Sequence, residues 1–205
     1  MKKIILIVCL IISDIYAQNK DIFVTKMSSK VVDNQIIAEV TLNDKIKIKD
    51  IKVVNENGKF VLKYPEYETK RGKVYPKIKI LSEELNNKIK ESIMKGILIN
   101  KLDGKNEIEW EISKFNINKV KSSLKAFASV RFNNQIEIEC NIFETQKKLW
   151  ISWPSKQNPE TGKWVKEVVF RKNLKEQIDK CLLDRYKTIK EEIGDNKFES
   201  EEEWE

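Results

Sequence analysis

The stretch "LWISWPSKQNPETGKWVKEVVF", residues 149–170, predicts two short strands separated by a basic loop. Its first aromatic run stops at Pro154, because proline cannot donate a hydrogen bond to a sheet. A loop containing proline and glycine follows, and a second aromatic and β-branched run begins at Trp164. The similar stretch "FVLKYPEYETKRGKVYPKIKI", residues 60–80, indicates that the same arrangement occurs twice in the chain.

The whole chain reads as two successive copies of one unit. The segments 36–54 and 125–143 contain matching residues, and further matches follow in the same order. Aligned pairs are Asn43 with Asn133, Ile46 with Ile136, Pro65 with Pro154, Gly72 with Gly162, Leu85 with Leu174 and Ile89 with Ile178. Because these matches fall at turns, in strand interiors and at helical spacing, we predict a tandem repeat.

Each copy is predicted to be an α+β unit, a curved antiparallel sheet of about five strands followed by one amphipathic helix. The segment "KIKIKDIKVV", residues 45–54, alternates charged and apolar residues with the period of a half-buried strand. The dipeptides at 43–44 and 133–134 mark tight hairpins, since Asn and Asp tolerate a positive φ.

Capping signals place the helix of each copy. In the first copy Ser82 is predicted to be the N-cap and Gly96 the terminator. In the second copy Asn173 is predicted to be the N-cap, with Glu176 three residues further on completing a capping box.

Residues 1–17, "MKKIILIVCLIISDIYA", have the basic start, apolar run and small final residue of an export signal. Export would place the mature chain in the cell envelope or outside the cell; the alternative is a first strand in a cytoplasmic protein. The predicted organisation continues with a first unit at 22–96, a bridge at 97–112, a second unit at 113–190 and an acidic disordered tail at 191–205.

Charge is unevenly distributed along the chain, whose formal net charge is +7. Residues 147–190 hold twelve Lys and Arg against five Asp and Glu, whereas residues 191–205 hold one Lys against eight acids. A basic body indicates an anionic partner, either nucleic acid or an anionic surface, and simple solvation is the alternative. We predict that the acidic tail folds back on the basic face and competes with the anion.

The chemistry-bearing residue types argue against an enzyme. The chain has no His and no glycine-rich phosphate loop, and Cys140 and Cys181 fit neither a disulfide framework nor a metal site. Both thiols are therefore predicted to be buried, and no cofactor, metal or small-molecule substrate is predicted. The remaining enzymatic alternative is a pair of carboxylates converging in a deep pocket, and no motif singles one out.

The second copy resembles the stage V sporulation protein G (SpoVG) family. Matching residues, in order, are Pro154, Ser155, Lys156, Pro159, Gly162, Trp164 and Tyr186. The resemblance covers residues 115–190 well and residues 22–96 more loosely. In the first copy Glu66 and Tyr67 replace the Ser-Lys of the motif.

This resemblance implies a small α+β protein that dimerises through its sheets and binds DNA and RNA without a cofactor. Such proteins act as bacterial regulators of septation, sporulation or virulence genes. Their usual single unit occurs twice here, so we predict that the two units pair within one chain as a pseudo-dimer. Further self-association remains open.

The candidate nucleic-acid-binding residues are basic side chains along the loop, fifth strand and helix of each unit. In the second unit they are Lys156, Lys163, Lys166, Arg171, Lys172, Lys175 and Lys180, and in the first unit Lys70, Arg71, Lys73, Lys77 and Lys79. Such charges would neutralise phosphates with release of counterions, and a solvated face is the alternative. Trp150, Trp153 and Trp164 are stacking surfaces for single-stranded bases or, alternatively, core residues.

A second function is predicted if the chain is exported. The same fold would then serve as an envelope or secreted interaction module that binds an anionic surface or a protein partner.

Overall fold

The computed structural model describes residues 21–69, 71–98, 107–146 and 148–193. The predicted export signal, half of the predicted bridge (residues 99–106) and the predicted tail beyond residue 193 lie outside the described residues, as does Lys70. The described part is an α+β structure with antiparallel sheets and two helices, which confirms the predicted fold class at that level.

The first half begins with four strands, β1 (Val24–Val32), β2 (Gln35–Leu42), β3 (Ile46–Glu56) and β4 (Lys59–Lys63). A small hairpin follows, made of β5 (Glu66–Glu68) and β6 (Val74–Pro76). The half ends with β7 (Ile78–Ile80) and helix α1 (Glu83–Lys95).

The second half has the same succession. Its strands are β8 (Trp110–Ile117), β9 (Leu124–Phe132), β10 (Ile136–Thr145), β11 (Lys148–Ser152), β12 (Ser155–Gln157), β13 (Trp164–Lys166) and β14 (Val168–Phe170), followed by helix α2 (Lys172–Ile193). Strand β8 starts earlier than the predicted unit boundary at residue 113, because Trp110 already pairs with Phe132 in the ladder with β9.

Each five-stranded sheet contains one strand from the other half. In the first sheet β14 pairs antiparallel with β3, so that Val168 lies opposite Ile48. In the second sheet β7 pairs antiparallel with β10, so that Ile78 lies opposite Ile138. The two halves are therefore interlocked by a reciprocal exchange of their last strands.

The predicted fifth strand of each copy is divided in the structure into two shorter strands. The division falls at Lys77 in the first half and at Glu167 in the second. The Lys77 amide donates to the Pro65 carbonyl at 3.0 Å, and the Glu167 amide donates to the Pro154 carbonyl at 2.9 Å. This bond ends the small hairpin, so that only the last short strand of each half joins the opposite sheet.

Each helix packs against the half to which it belongs in sequence. The Tyr64 hydroxyl donates to Asn86 Oδ1 on α1 at 2.8 Å. In the second half Trp153 Nε1 donates to Asp179 Oδ1 on α2 at 2.8 Å. The exchange between the halves is thus limited to single strands.

The cap predictions differ in outcome between the two helices. Ser82 Oγ accepts a hydrogen bond from the Leu85 amide at 3.2 Å, and Gly96 ends α1 with φ at 67°, as predicted. The predicted Asn173 cap is wrong, because α2 already begins at Lys172. The chain is held in the first sheet up to Arg171, whose amide donates to the Lys45 carbonyl at 2.8 Å, and it turns directly into the helix.

One hydrophobic core extends through both halves. Ile46 and Ile136 begin equivalent strands, and both are fully buried. Burial of each of these side chains stabilises the fold by about 1.5–3 kcal/mol. Phe170, on the exchanged strand β14, packs its ring against Trp153 at 4.6 Å between centroids. Cys140 is buried as predicted, but Cys181 is exposed because it lies at the edge of the apolar face of α2.

Candidate functional site

The β12–β13 hairpin presents the motif of the second half on two opposite faces. Gln157 pairs with Trp164 and Lys156 pairs with Val165 across the hairpin. Since side chains alternate along a strand, Trp164 and Lys166 share one face and Lys156 lies on the other. Trp164 is 70% exposed, which is unusual for the largest apolar side chain.

An open cavity of about 640 Å³ lies on the Trp164 face, and we call it the tryptophan groove. Its aromatic and basic lining residues are Phe143, Trp150, Trp153, Trp164, Phe170, Lys166 and Lys175. Phe143 and Trp150 stack with 5.5 Å between ring centroids and 15° between ring planes. The groove therefore combines flat ring surfaces with ammonium groups.

The two cations of the tryptophan groove differ in their surroundings. Lys175 forms an ion pair with Asp179 one turn later on α2, and Asp179 also accepts the hydrogen bond from Trp153. Lys166 is exposed and makes no ion pair with any residue in the described ranges. Lys166 is thus the cation best placed to meet an anionic ligand.

The three tryptophans are divided between the two roles predicted for them. Trp153 belongs to the hydrophobic core, where its indole nitrogen is satisfied by Asp179. Trp150 is half-buried beneath Phe143, and Trp164 projects into solvent. Of the three, Trp164 has the most free ring surface for a ligand.

Most of the other predicted basic residues do not line the tryptophan groove. Lys156 pairs with Asp50 of the first half, and Lys77 pairs with the buried Glu167 at 2.7 Å. Arg171 Nε donates to a backbone carbonyl in the β2–β3 turn. Lys79 pairs with glutamates of β10. Exposed positions elsewhere on the surface are those of Lys163, Lys172, Lys180, Arg71 and Lys73.

The partner of Lys156 is an extra residue in β3. Ala38 lies opposite Ile51 but Val40 lies opposite Ile48, so two residues of β3 oppose one residue of β2 at this point. This β-bulge places Asp50 at a φ of 60°, a left-handed conformation that Asp tolerates. The ladder between β9 and β10 runs without a shift through the corresponding segment. The bulge therefore gives the first half a carboxylate that reaches the motif lysine of the second.

The remaining motif residues build the hairpin and its support. Pro154 is buried and its carbonyl accepts the Glu167 amide at 2.9 Å, while Tyr186 is 1% exposed in the core. Gly162 has a φ of 65°, where a side chain would strain the turn, and Pro159 lies in the same exposed loop.

Two site features could not be found from the sequence pattern. Phe143 fits the predicted strand but nothing in the alternation indicated that it faces a groove rather than the core. The contact of Asp50 with Lys156 depends on how the halves are arranged, which the alternation of residues in one strand does not indicate.

Fold and groove define an interlocked α+β protein with an open basic and aromatic surface. The family model described as SpoVG matches residues 110–188, from the start of β8 into α2. This match supports the SpoVG family for the second of the two units. No curated protein and no solved structure matches the chain.

The described residues contain no group of three or more His, Cys, Asp or Glu side chains placed to hold a metal ion. No helix within these ranges has the length and apolar character needed to cross a membrane.

Proposed function

We propose that the chain is a non-enzymatic regulatory protein of the septation and sporulation type, that it binds nucleic acid, and that its halves are a tandem duplication paired as a pseudo-dimer. The similarity of residues 110–188 to SpoVG supports the regulatory role. The tryptophan groove is the proposed contact surface.

The observation that carries this proposal is the position of Trp164 beside Lys166. An exposed indole ring next to an ammonium group that makes no ion pair within the described ranges provides stacking for a base and charge for the neighbouring phosphate. The groove is also lined by the Phe143–Trp150 stack. This combination is typical of surfaces that bind nucleic acid through its backbone and its bases.

Equivalent hydrogen bonds support the duplication. The Phe23 amide donates to Asn43 Oδ1 at 2.7 Å, and the Glu109 amide donates to Asn133 Oδ1 at 2.7 Å. Both asparagines have a φ of 46° in their hairpins. The same side chain thus performs the same backbone role in each half, and the reciprocal strand exchange is the pairing expected of two copies of one unit.

A titration of labelled nucleic acid at rising salt concentration tests the binding. Affinity should fall steeply with salt, because neutralised phosphates release counterions. Lys166→Ala should lower the affinity and reduce the slope of log affinity against log salt by about one. The matched control is Lys59→Ala, which removes the same charge from an exposed position in the β3–β4 hairpin.

No affinity at low salt, or an affinity that does not change with salt, would remove the proposal. An equal loss in Lys59→Ala and Lys166→Ala would show that net charge alone is responsible. Mass spectrometry of the native protein complements the titration, since a start near residue 18 would favour the envelope module over a chromosomal regulator.

A further inference from the structure

The outer face of the second sheet carries aromatic side chains, of which Phe127 is exposed and Phe143 and Trp150 are half-buried. Phe127 lies opposite Asn141 across β9 and β10, and Phe143 lies opposite Trp150 across β10 and β11. These positions alternate with the buried Cys140, so they lie on the side of β10 away from the core. Phe127 is 45% exposed, which leaves much of its ring in contact with water.

The first sheet has aliphatic residues at the equivalent positions. There Ile37 lies opposite Lys52, and Val54 lies opposite Val61. The spacing is the same in both sheets. Asn141 and Phe143 are two residues apart in β10, as Lys52 and Val54 are in β3. The fold therefore forms without aromatic residues at these positions, and their presence in the second sheet is not a requirement of packing.

Hairpins from both halves close a second cavity over this aromatic face. We call this cavity, of about 280 Å³, the aromatic cleft. Its walls include Tyr67 from β5, Trp164 from β13, and Phe127, Asn141 and Phe143 from the sheet. Phe143 and Trp164 also line the tryptophan groove, so the two cavities are adjacent and share these rings as walls.

The cation Lys73 lies next to the tyrosine wall of the aromatic cleft. Lys73 Nζ lies 4.8 Å from the ring centroid of Tyr75, which stacks on Tyr67 with 5.3 Å between centroids. The one carboxylate among the residues that line the cleft, Glu139, is neutralised by Lys79 at 2.8 Å. Exposed rings beside ammonium groups are complementary to a ligand that is flat and apolar in one part and anionic in the next.

From these contacts we infer that the aromatic cleft and the tryptophan groove bind unpaired bases, so that the ligand is single-stranded RNA or DNA rather than duplex. This inference rests on the proposed function. Bases in a duplex are already stacked and paired, and the backbone keeps them away from rings such as Phe127 and Trp164. An unpaired strand can place its bases on the rings and its phosphates on the lysines, while the Asn141 amide donates to and accepts from a base edge.

Competition between single-stranded and duplex probes tests the inference with the full chain. The probes are a labelled single-stranded RNA, the DNA of the same sequence, and the blunt-ended duplex of that DNA. We expect at least one single-stranded probe to bind about tenfold or more tightly than the duplex at the same salt concentration.

Substitutions in the cleft separate stacking from charge. Phe127→Ala and Tyr67→Ala should each lower affinity for the single strand by about fivefold or more, with an unchanged salt slope. Tyr67→Phe keeps the ring and should retain the affinity. Val61→Ala is the matched control on the first sheet, at the position equivalent to Trp150, and should bind as the wild type does. Urea unfolding midpoints verify that every variant is folded.

The possible failures are distinguishable. Equal affinity for single strand and duplex, or wild-type affinity in both aromatic variants, overturns the inference while salt-dependent binding still supports the proposed function. Absence of binding to every probe removes both. If the aromatic substitutions instead dissociate a dimer of the chain in sedimentation, the cleft is a surface for self-association and the inference is overturned.

Discussion

Glu137 is a carboxylate that the second sheet encloses almost completely, with 3% of its side chain exposed. Burial alone would raise the pKa of Glu137, but Lys114 and Ser113 donate hydrogen bonds to it at 2.8 and 2.9 Å. These bonds and the nearby charge of Lys79 outweigh burial and lower the pKa of Glu137 from 4.5 to about 2. The charge is thus stabilised by cations from both halves.

Removing this charge should destabilise the protein in a pH-dependent way. Because the folded pKa of Glu137 is below the unfolded one, its contribution is complete above about pH 4.5 and is lost as the pH falls towards 2. We expect Glu137→Gln to lower the free energy of unfolding by about 2–3 kcal/mol at pH 7 and by roughly half as much at pH 3. Urea unfolding at both pH values measures the difference. In the control Glu111→Gln, which changes an exposed carboxylate, we expect a change within about 0.5 kcal/mol.

The contact between Asp50 and Lys156 should restrict anion binding. Asp50→Asn keeps the size of the side chain in the bulge and removes its charge, which leaves Lys156 without its counter-ion. We expect the affinity for nucleic acid to rise about two- to fivefold and the salt slope to increase, since one more lysine can neutralise phosphate. Asp33→Asn is the control in the β1–β2 turn, and it also has a positive φ. Unchanged affinity in Asp50→Asn would show that Lys156 does not reach the ligand.

At the scale of the residue, the sequence predicted side chains with a backbone role and missed those with a partner in the other half. Ser82, Gly96 and Asn43 act on neighbours close in the chain or in the same sheet, so their residue type and position were sufficient. Lys77 and Lys156 were predicted as free basic residues, and both are paired with acids more than 80 residues away.

Strands β7 and β14 are the elements that connect the two sheets. Each is only three residues long, and each lies against the first residues of a central strand of the opposite half. Additional bonds flank them, including the Leu81 amide to the Gln135 carbonyl at 2.7 Å. Separation of the halves would break both pairings and expose apolar residues such as Ile78 and Phe170.

Cleavage of the chain between the halves should therefore leave them associated. We expect a protease site inserted within residues 99–106 to give two fragments that co-elute in size-exclusion chromatography after cutting. Since cutting removes the effective concentration that the covalent link supplies, the unfolding midpoint should become dependent on protein concentration. Two folded fragments that elute separately would contradict the strand exchange and the proposed pseudo-dimer.

At the scale of the element, the sequence predicted the strands but not the sheet to which each belongs. The alternation in "VYPKIKI" shows that one side is buried, and it is equally compatible with pairing inside the unit or across units. The break at Lys77 depends on a hydrogen bond to the Pro65 carbonyl, for which the sequence has no signal.

Lys77 and Glu167 occupy equivalent positions in the two halves of the molecule. The Lys77 carbonyl accepts from the Glu139 amide at 2.9 Å, and the Glu167 carbonyl accepts from the Lys49 amide at 2.8 Å. Their side chains meet as an ion pair in which Glu167 is 4% exposed. The equivalent positions therefore contact each other across the interface, with opposite charges.

Reversal of this pair tests the arrangement of the whole molecule. Lys77→Glu places two carboxylates together in a buried site, and Glu167→Lys places two ammonium groups there. We expect each to lower the free energy of unfolding by about 3–5 kcal/mol. The double variant restores opposite charges and should recover more than half of the loss, as measured by urea unfolding in a double-mutant cycle. Additive losses would show that the two side chains are not coupled.

The Lys77–Glu167 contact also bears on how the two halves recognise each other. In a homodimer of identical units, the residue at this position would contact the same residue of the partner. Any charged side chain there would therefore meet a side chain of the same charge. In the proposed duplication the two positions belong to one polypeptide and can carry opposite charges. A second copy of the first half in place of the second would set Lys77 against another lysine, so each half is complementary in charge to the other half and not to itself.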